Sequence, residues 1–185
     1  MLNKLKEFYH ENRKLNLISK IDLYFWLFLA GAVSGWVYEE IFYYVTENLL
    51  ENRGFLFGPY LPVYGVGALL MVLLLERFRK NPIVVFLASI IVTGILEYLT
   101  GRMMWQIWHR RWWDYRGLFL NIGGYVCLRS VLTFAVGGLL LIYIVKPVMA
   151  HCLFKFSQRT RSIAAALAGA VMIADLTVSL TIQGI

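Results

Sequence analysis

Residues 23–45 read LYFWLFLAGAVSGWVYEEIFYYV, an apolar run with two acidic residues near its end. At about 1.5 Å of rise per residue this run is ~34 Å long as a helix, enough to cross a hydrocarbon core of roughly 30 Å. A cleavable leader is the competing reading, because Ala30-Gly31-Ala32 loosely matches a cleavage site, but the apolar stretch continues well past it, as an uncleaved anchor does. Further runs follow at about Tyr60–Leu75, Ile83–Trp105, Phe119–Val145 and Ile163–Ile182. The pattern predicts an all-α, polytopic bundle of about five transmembrane helices. It forms one transmembrane domain over residues 23–185, preceded by a basic arm or interfacial helix over residues 1–22.

Composition agrees. Of 185 residues, 59% are hydrophobic and 16% charged, against nearly half and a quarter in soluble domains. The net charge of +7 comes from Lys and Arg in the short segments between apolar runs, which is membrane-loop patterning and excludes a nucleic-acid-binding module. With the N-terminus inside, inner segments hold twelve of the 18 Lys and Arg and outer segments five, so the chain is expected in the plasma membrane with a cytoplasmic N-terminus. Cys127 and Cys152 read as free thiols, and the scattered histidines have no metal-ligand spacing, so neither a metal nor a cofactor is expected.

Ionisable residues within spans cost about 2.5–3.5 kcal/mol each on insertion scales, and so they are placed for a reason. Here they are Glu39 and Glu40, Glu97, Arg129 and Asp175. Depth estimates put Glu39, Glu97, Arg129 and Asp175 at a common level in the outer half of the bundle, where they are expected to form a substrate or ion site. Helical phase supports this. Gly31, Gly35 and Glu39 share one face, as do Thr93, Glu97 and Gly101, and small residues at this spacing let helices approach closely. A purely structural salt bridge from Arg129 to Glu97 or Glu39 is the bland alternative.

Two connecting segments are too specific to be plain linkers. Residues 52–67 read NRGFLFGPYLPVYGVG. Their prolines and glycines preclude an ordinary helix start, and irregular backbone at membrane depth must be covered by protein or line a wet cavity. The segment is therefore expected to be re-entrant, with Asn52, Arg53, Gly54, Pro59, Pro62 and Tyr64 at the mouth of the site. The second segment, Trp112-Trp113-Asp114-Tyr115 followed by Asn121, places Asp114 among aromatics, and Trp113, Asp114, Tyr115 and Asn121 join the mouth.

Together with Gly35-Trp36-Val37-Tyr38-Glu39, Glu97-Tyr98-Leu99-Thr100-Gly101 and Cys127-Leu128, these motifs resemble the bacterial ABC-transporter type IV, CmpB-like integral membrane permeases, from about Phe25 to Pro147. The chain departs from that family's pattern at Trp105, where an acidic residue is common, and at Tyr125, near a common basic position. The resemblance implies a transport-associated membrane subunit. The sequence has no Gly-x-x-x-x-Gly-Lys-Ser/Thr phosphate loop, so ATP hydrolysis would fall to a separate ATPase subunit, with a second membrane subunit or further copies completing the pathway among the membrane lipids. No catalytic motif is recognisable. An intramembrane enzyme on a lipid substrate, with Glu39 and Glu97 as an acid–base pair, remains the alternative, as does a structural or regulatory membrane partner.

Overall fold

The computed structural model describes residues 15–48 and 54–182; Asn52, Arg53 and most of the basic arm lie outside them. The described residues form five α-helices: α1 (Leu17–Glu47), α2 (Pro62–Leu75), α3 (Pro82–Trp108), α4 (Leu128–Leu153) and α5 (Gln158–Ile182). All except α2 are long and apolar enough to cross a membrane. Among the described residues there is no strand, only an isolated bridge between Ile122 and Val126. The chain is a multi-pass helical membrane protein.

The short α2 is explained by the segment before it. At ~1.5 Å per residue its 14 residues rise only about 21 Å. Its first residue is Pro62, tolerated there because the first turn of a helix needs no N–H from it. Residues 54–61 dip beside α1 as far as its middle, where the Leu61 amide donates to the Ala32 carbonyl at 2.9 Å. The segment is covered by a small cluster of Ala32, Leu56 and Tyr60, with Phe55 and Met172 against it. This is the re-entrant geometry expected of a Gly/Pro-rich stretch at membrane depth.

From there α2 runs back along α1. Tyr64 abuts Gly35 and Ala68 abuts Gly31, so the two helices are antiparallel. α3 and α4 are antiparallel as well, with Gly94 against Val131 and Ser89 against Gly138. α5 runs parallel to α1, since Asp22 meets Ser162 and Phe25 meets Gly169. Because α2 runs opposite to α1, segment 54–61 and α2 follow one another along the side of α1. The main core, Leu23 and Leu27 with Met71, Val72, Leu75, Val85, Leu141 and Ile142, lies toward the end that carries the N-terminus of α1. We call it the basic end, and the opposite end the site end.

α4 departs from the expected span. The apolar run suggested Phe119 to Val145, stopped by Lys146-Pro147, but the helix starts at Leu128 and continues to Leu153. Gly123 and Gly124 have φ of +61° and +75°, left-handed angles that glycine adopts freely and that turn the chain before the helix can begin. At the other end Pro147 has no N–H to give, and the helix takes a π turn over Leu141–Val145 immediately before it. That turn lets Lys146, 4% exposed, bond inward to Glu76. A second buried pair ties the basic end: Arg161 lies 3.7 Å from Asp22 and donates to Ser19 at 3.0 Å, while Ser162 donates to Asp22.

Candidate functional site

On α1 the spacing-of-four face Gly31, Gly35, Glu39 meets α2. A Cβ on Gly31 would lie 2.7 Å from the Ala68 Cβ, and one on Gly35 would lie 2.1 Å from Tyr64 Cγ. The helices therefore touch backbone to side chain, with no room for even a methyl group. This closeness sets Tyr64 beside Glu39, and the Tyr64 hydroxyl donates to Glu39 Oε1 at 2.7 Å. On α3 a parallel stripe of Val85, Ser89, Thr93, Glu97 and Gly101 is buried against α4 and the following loop. The Ser89 and Thr93 hydroxyls donate to carbonyls one turn back, so the stripe is polar in sequence but satisfied in place.

Glu97 is only 6% exposed. The Ser130 hydroxyl lies 2.7 Å from its Oε2, and the Tyr115 side chain lies close to the same carboxyl. Ser130 owes its position to the start of α4, where it accepts from the Cys127 amide at 3.1 Å in a capping-box arrangement. Tyr115 comes from the 109–127 loop. Burial, and next the charge of Glu97, push its hydroxyl well above the usual tyrosine range, so it keeps its proton.

That loop is held by its own hydrogen bonds. Tyr115 N donates to the Gly124 carbonyl at 2.9 Å, Trp113 Nε1 to the Tyr125 carbonyl at 2.8 Å and Arg111 to the Gly123 carbonyl at 3.0 Å. Asn121 is a turn residue here, donating to the Leu118 carbonyl and accepting from the Gly124 amide. Asp114 accepts from both the backbone and the guanidinium of Arg116. These bonds hold its carboxyl below the usual carboxylate range, and its charge raises Arg116 in turn.

These elements enclose a cavity of ≈ 300 Å³. Glu39, Tyr64, Arg129 and Ser130 line it from the helices, and Trp113, Asp114, Tyr115 and Arg116 from the loop. Glu97 sits directly behind Ser130 and Tyr115. Arg129 is in the first turn of α4, not deep within a span as the expected helix bounds implied. Its guanidinium stacks over the Phe42 ring at 4.8 Å. Among the described residues it forms no ion pair with Glu39 or Glu97.

Asp175 stands apart from the cavity. Its carboxylate accepts from the Phe57 amide at 3.1 Å, the Gly58 amide at 2.9 Å and the Tyr60 hydroxyl, with Ser179 adding a fourth contact at 3.2 Å. It pins the re-entrant segment to α5. Gly54, with φ of +105°, Pro59 and Pro62 shape that segment and do not line the cavity. The sequence reading did not single out Phe42, Arg116, Ser130 or Phe134. Phe42 and Ser130 had a signal: one follows Glu39 by three residues and the other adjoins Arg129. Arg116 and Phe134 had none, since their place depends on how the loop folds.

No curated protein and no solved structure matches the chain. The model of the family described as "Putative ABC-transporter type IV" matches residues 26–180. The match takes in every element of the cavity, from α1 through the loop to α4, and extends along most of α5. This chain belongs to that family of ABC-transporter-type integral membrane proteins.

Proposed function

We propose that this chain is the membrane-embedded permease subunit of a transport system, and that the cavity at the site end is where its substrate binds. The observation that carries this reading is the convergence of Glu39 and Arg129 on one cavity, with Glu97 one hydrogen bond behind it. Ionisable groups are expensive at membrane depth and are retained where they face a pathway or a partner. The structural alternative required Arg129 to neutralise one of the two glutamates, and the absence of such a pair among the described residues argues against it.

The substrate residues in this proposal are Glu39, Glu97 and Arg129, with Asp114 and Tyr115 at the mouth. Asp175 acts by holding the re-entrant segment, which in turn carries Tyr64 to Glu39. The basic end faces the cytoplasm of the plasma membrane, in keeping with the excess of Lys and Arg there. A separate ATPase docks on that end, at segments 76–82 or 146–162, because the chain has no phosphate loop of its own. The test is mild-detergent purification of the full chain from its native membranes. An ATP-hydrolysing subunit should be recovered with it, and Arg129→Gln or Glu97→Gln should leave assembly intact while uncoupling ATP hydrolysis from transport in reconstituted vesicles. Recovery without an ATPase, together with wild-type behaviour of both variants, would sink the proposal.

A further inference from the structure

Most charged groups around the cavity are already engaged by the chain itself. Asp114 and Arg116 are bonded to each other. Glu39 accepts from the Tyr64 hydroxyl and has a further partner within the chain, so its carboxylate is not on offer to a ligand. Glu97 lies behind the wall, with the Ser130 hydroxyl on its carboxyl. Arg129 lines the cavity as well, and among the described residues no carboxylate pairs with its guanidinium.

The way Arg129 is held matters as much as its charge. The central carbon of its guanidinium lies 4.8 Å from the centroid of the Phe42 ring. Stacking uses the flat face of a guanidinium and leaves the N–H groups around its edge free to donate in the plane. Among the described residues none of these N–H groups has an acceptor, and the hydrogen bond from the Thr133 hydroxyl goes to the Arg129 carbonyl. A planar fork of donors, held by a ring at a cavity wall, suits the paired oxygens of a carboxylate or phosphate.

The walls describe the rest of the ligand. Half of the lining residues are aromatic, Tyr38, Tyr43, Trp113 and Phe134 among them, so a bare inorganic anion would leave most of the rings uncovered. The volume of ≈ 300 Å³ is at the lower end of the range for small organic ligands, about 300–1,000 Å³. A cation is drawn to ring faces but would meet Arg129. Resting on the reading of this cavity as the substrate site, we propose that its ligand is an amphiphilic anion: one carboxylate or phosphate group on the Arg129 fork, joined to an apolar or aromatic body that lies against the rings. A soluble organic acid and the phosphate end of an anionic phospholipid share this chemistry, and the experiment separates them.

The full chain, purified in detergent, is titrated by calorimetry with phenylacetate and phenyl phosphate. Phenylethylamine and phenylethanol serve as cationic and neutral controls, and acetate and inorganic phosphate as anions without a body. The aromatic anions should bind at least about tenfold more tightly than any control. Losing the charge-assisted bonds in Arg129→Gln should weaken phenylacetate by roughly 10- to 100-fold and spare phenylethanol. Arg129→Lys keeps the charge and loses the fork, so it should fall between wild type and Arg129→Gln, which guards against misreading a folding defect. Arg102→Gln removes an exposed guanidinium that bonds Tyr98 outside the cavity, and it should bind as the wild type does.

In nanodiscs of mixed phosphatidylglycerol and phosphatidylcholine, enrichment of phosphatidylglycerol that is lost in Arg129→Gln and competed by phenyl phosphate identifies the lipid source. Phenylacetate binding without such enrichment identifies the soluble one. Any control binding as tightly as the aromatic anions, or anion binding unchanged in Arg129→Gln, overturns the proposal. If no anion binds and no lipid is enriched while Arg129→Gln still uncouples transport, the ligand class fails and the site reading survives. If neither assay responds, both fail.

Discussion

Gly35→Ala tests the packing on which the cavity depends. The new Cβ would sit 2.1 Å from Tyr64 Cγ and 2.5 Å from Tyr64 Cβ. Those atoms are the root of the side chain, so rotating the ring cannot clear them, and α2 has to move off α1. Overpacking of this kind costs about 1–3 kcal/mol. The same movement withdraws the Tyr64 hydroxyl from Glu39, now 2.7 Å away, and a hydrogen bond to a carboxylate contributes about 1.5–3 kcal/mol. Replacing a helical glycine by alanine returns about 0.5–1 kcal/mol. The net expectation is a loss of about 2–5 kcal/mol. Reversible unfolding in mixed micelles measures it, with Gly137→Ala as the internal control, because nothing lies within 4 Å of a Cβ there and only the helix-propensity gain should remain. Tyr64→Phe closes a double-mutant cycle: it should destabilise the wild type but add little to Gly35→Ala, where its bond is already lost. A Gly35→Ala protein as stable as Gly137→Ala would refute the close α1–α2 contact and the placement of Tyr64 that follows from it.

Two further outcomes probe the segments that frame the site. Asp175→Asn turns one acceptor oxygen into a donor facing the Phe57 or Gly58 amide or the Tyr60 hydroxyl. It should release residues 54–61, lowering hydrogen-exchange protection of the Phe57 and Gly58 amides by about tenfold or more, and unchanged protection would remove Asp175 as the anchor. Asp114, whose ordinary value is 3.8, is held lower by its bonds to Arg116. Because its folded value is depressed, the stabilisation it gives the loop is fully present above the ordinary carboxylate range and is lost as pH falls through the lower, folded value. Trp113 fluorescence should therefore stay constant from neutral pH down to that range and change only below it, and in Asp114→Asn it should lose this acid transition.

The parts of the molecule that could be read in advance are those where helical phase alone decides. Gly31, Gly35 and Glu39 repeat every four residues, so one face of α1 was bound to meet a close neighbour with Glu39 pointing into the bundle; Thr93, Glu97 and Gly101 gave the same signal on α3. The re-entrant segment was legible because proline and glycine forbid a plain helix. What eluded the sequence was tertiary. Asp175 has the right depth for the cavity, but depth says nothing about azimuth, and its carboxylate was claimed by amides 117 and 118 residues away. Arg129 was placed too deep because the apolar run 119–127 looked helical, whereas the turn at Gly123 and Gly124 keeps it out of the helix. The buried partnership of Asp22 with Arg161 and Ser162 joins residues 140 apart, and no local pattern announces it.

That partnership also supplies an internal standard for judging the site end. At the basic end this chain shows how it treats charges that only hold helices together. Asp22 and Arg161 are 3% and 8% exposed and are tied to each other and to serines, and Lys146 is sealed against Glu76. Each cation has a carboxylate, as desolvation in a helical bundle demands. The site end follows another rule. Arg129 is open to a cavity and stacked on an aromatic ring, with two glutamates nearby that it does not engage. Among the described residues the buried cations of the basic end each lie beside a carboxylate, whereas Arg129, exposed at the start of α4, faces the cavity without an ion pair, as the proposed substrate site requires. This asymmetry, more than the presence of charge, is the support for proposing a binding site at this cavity.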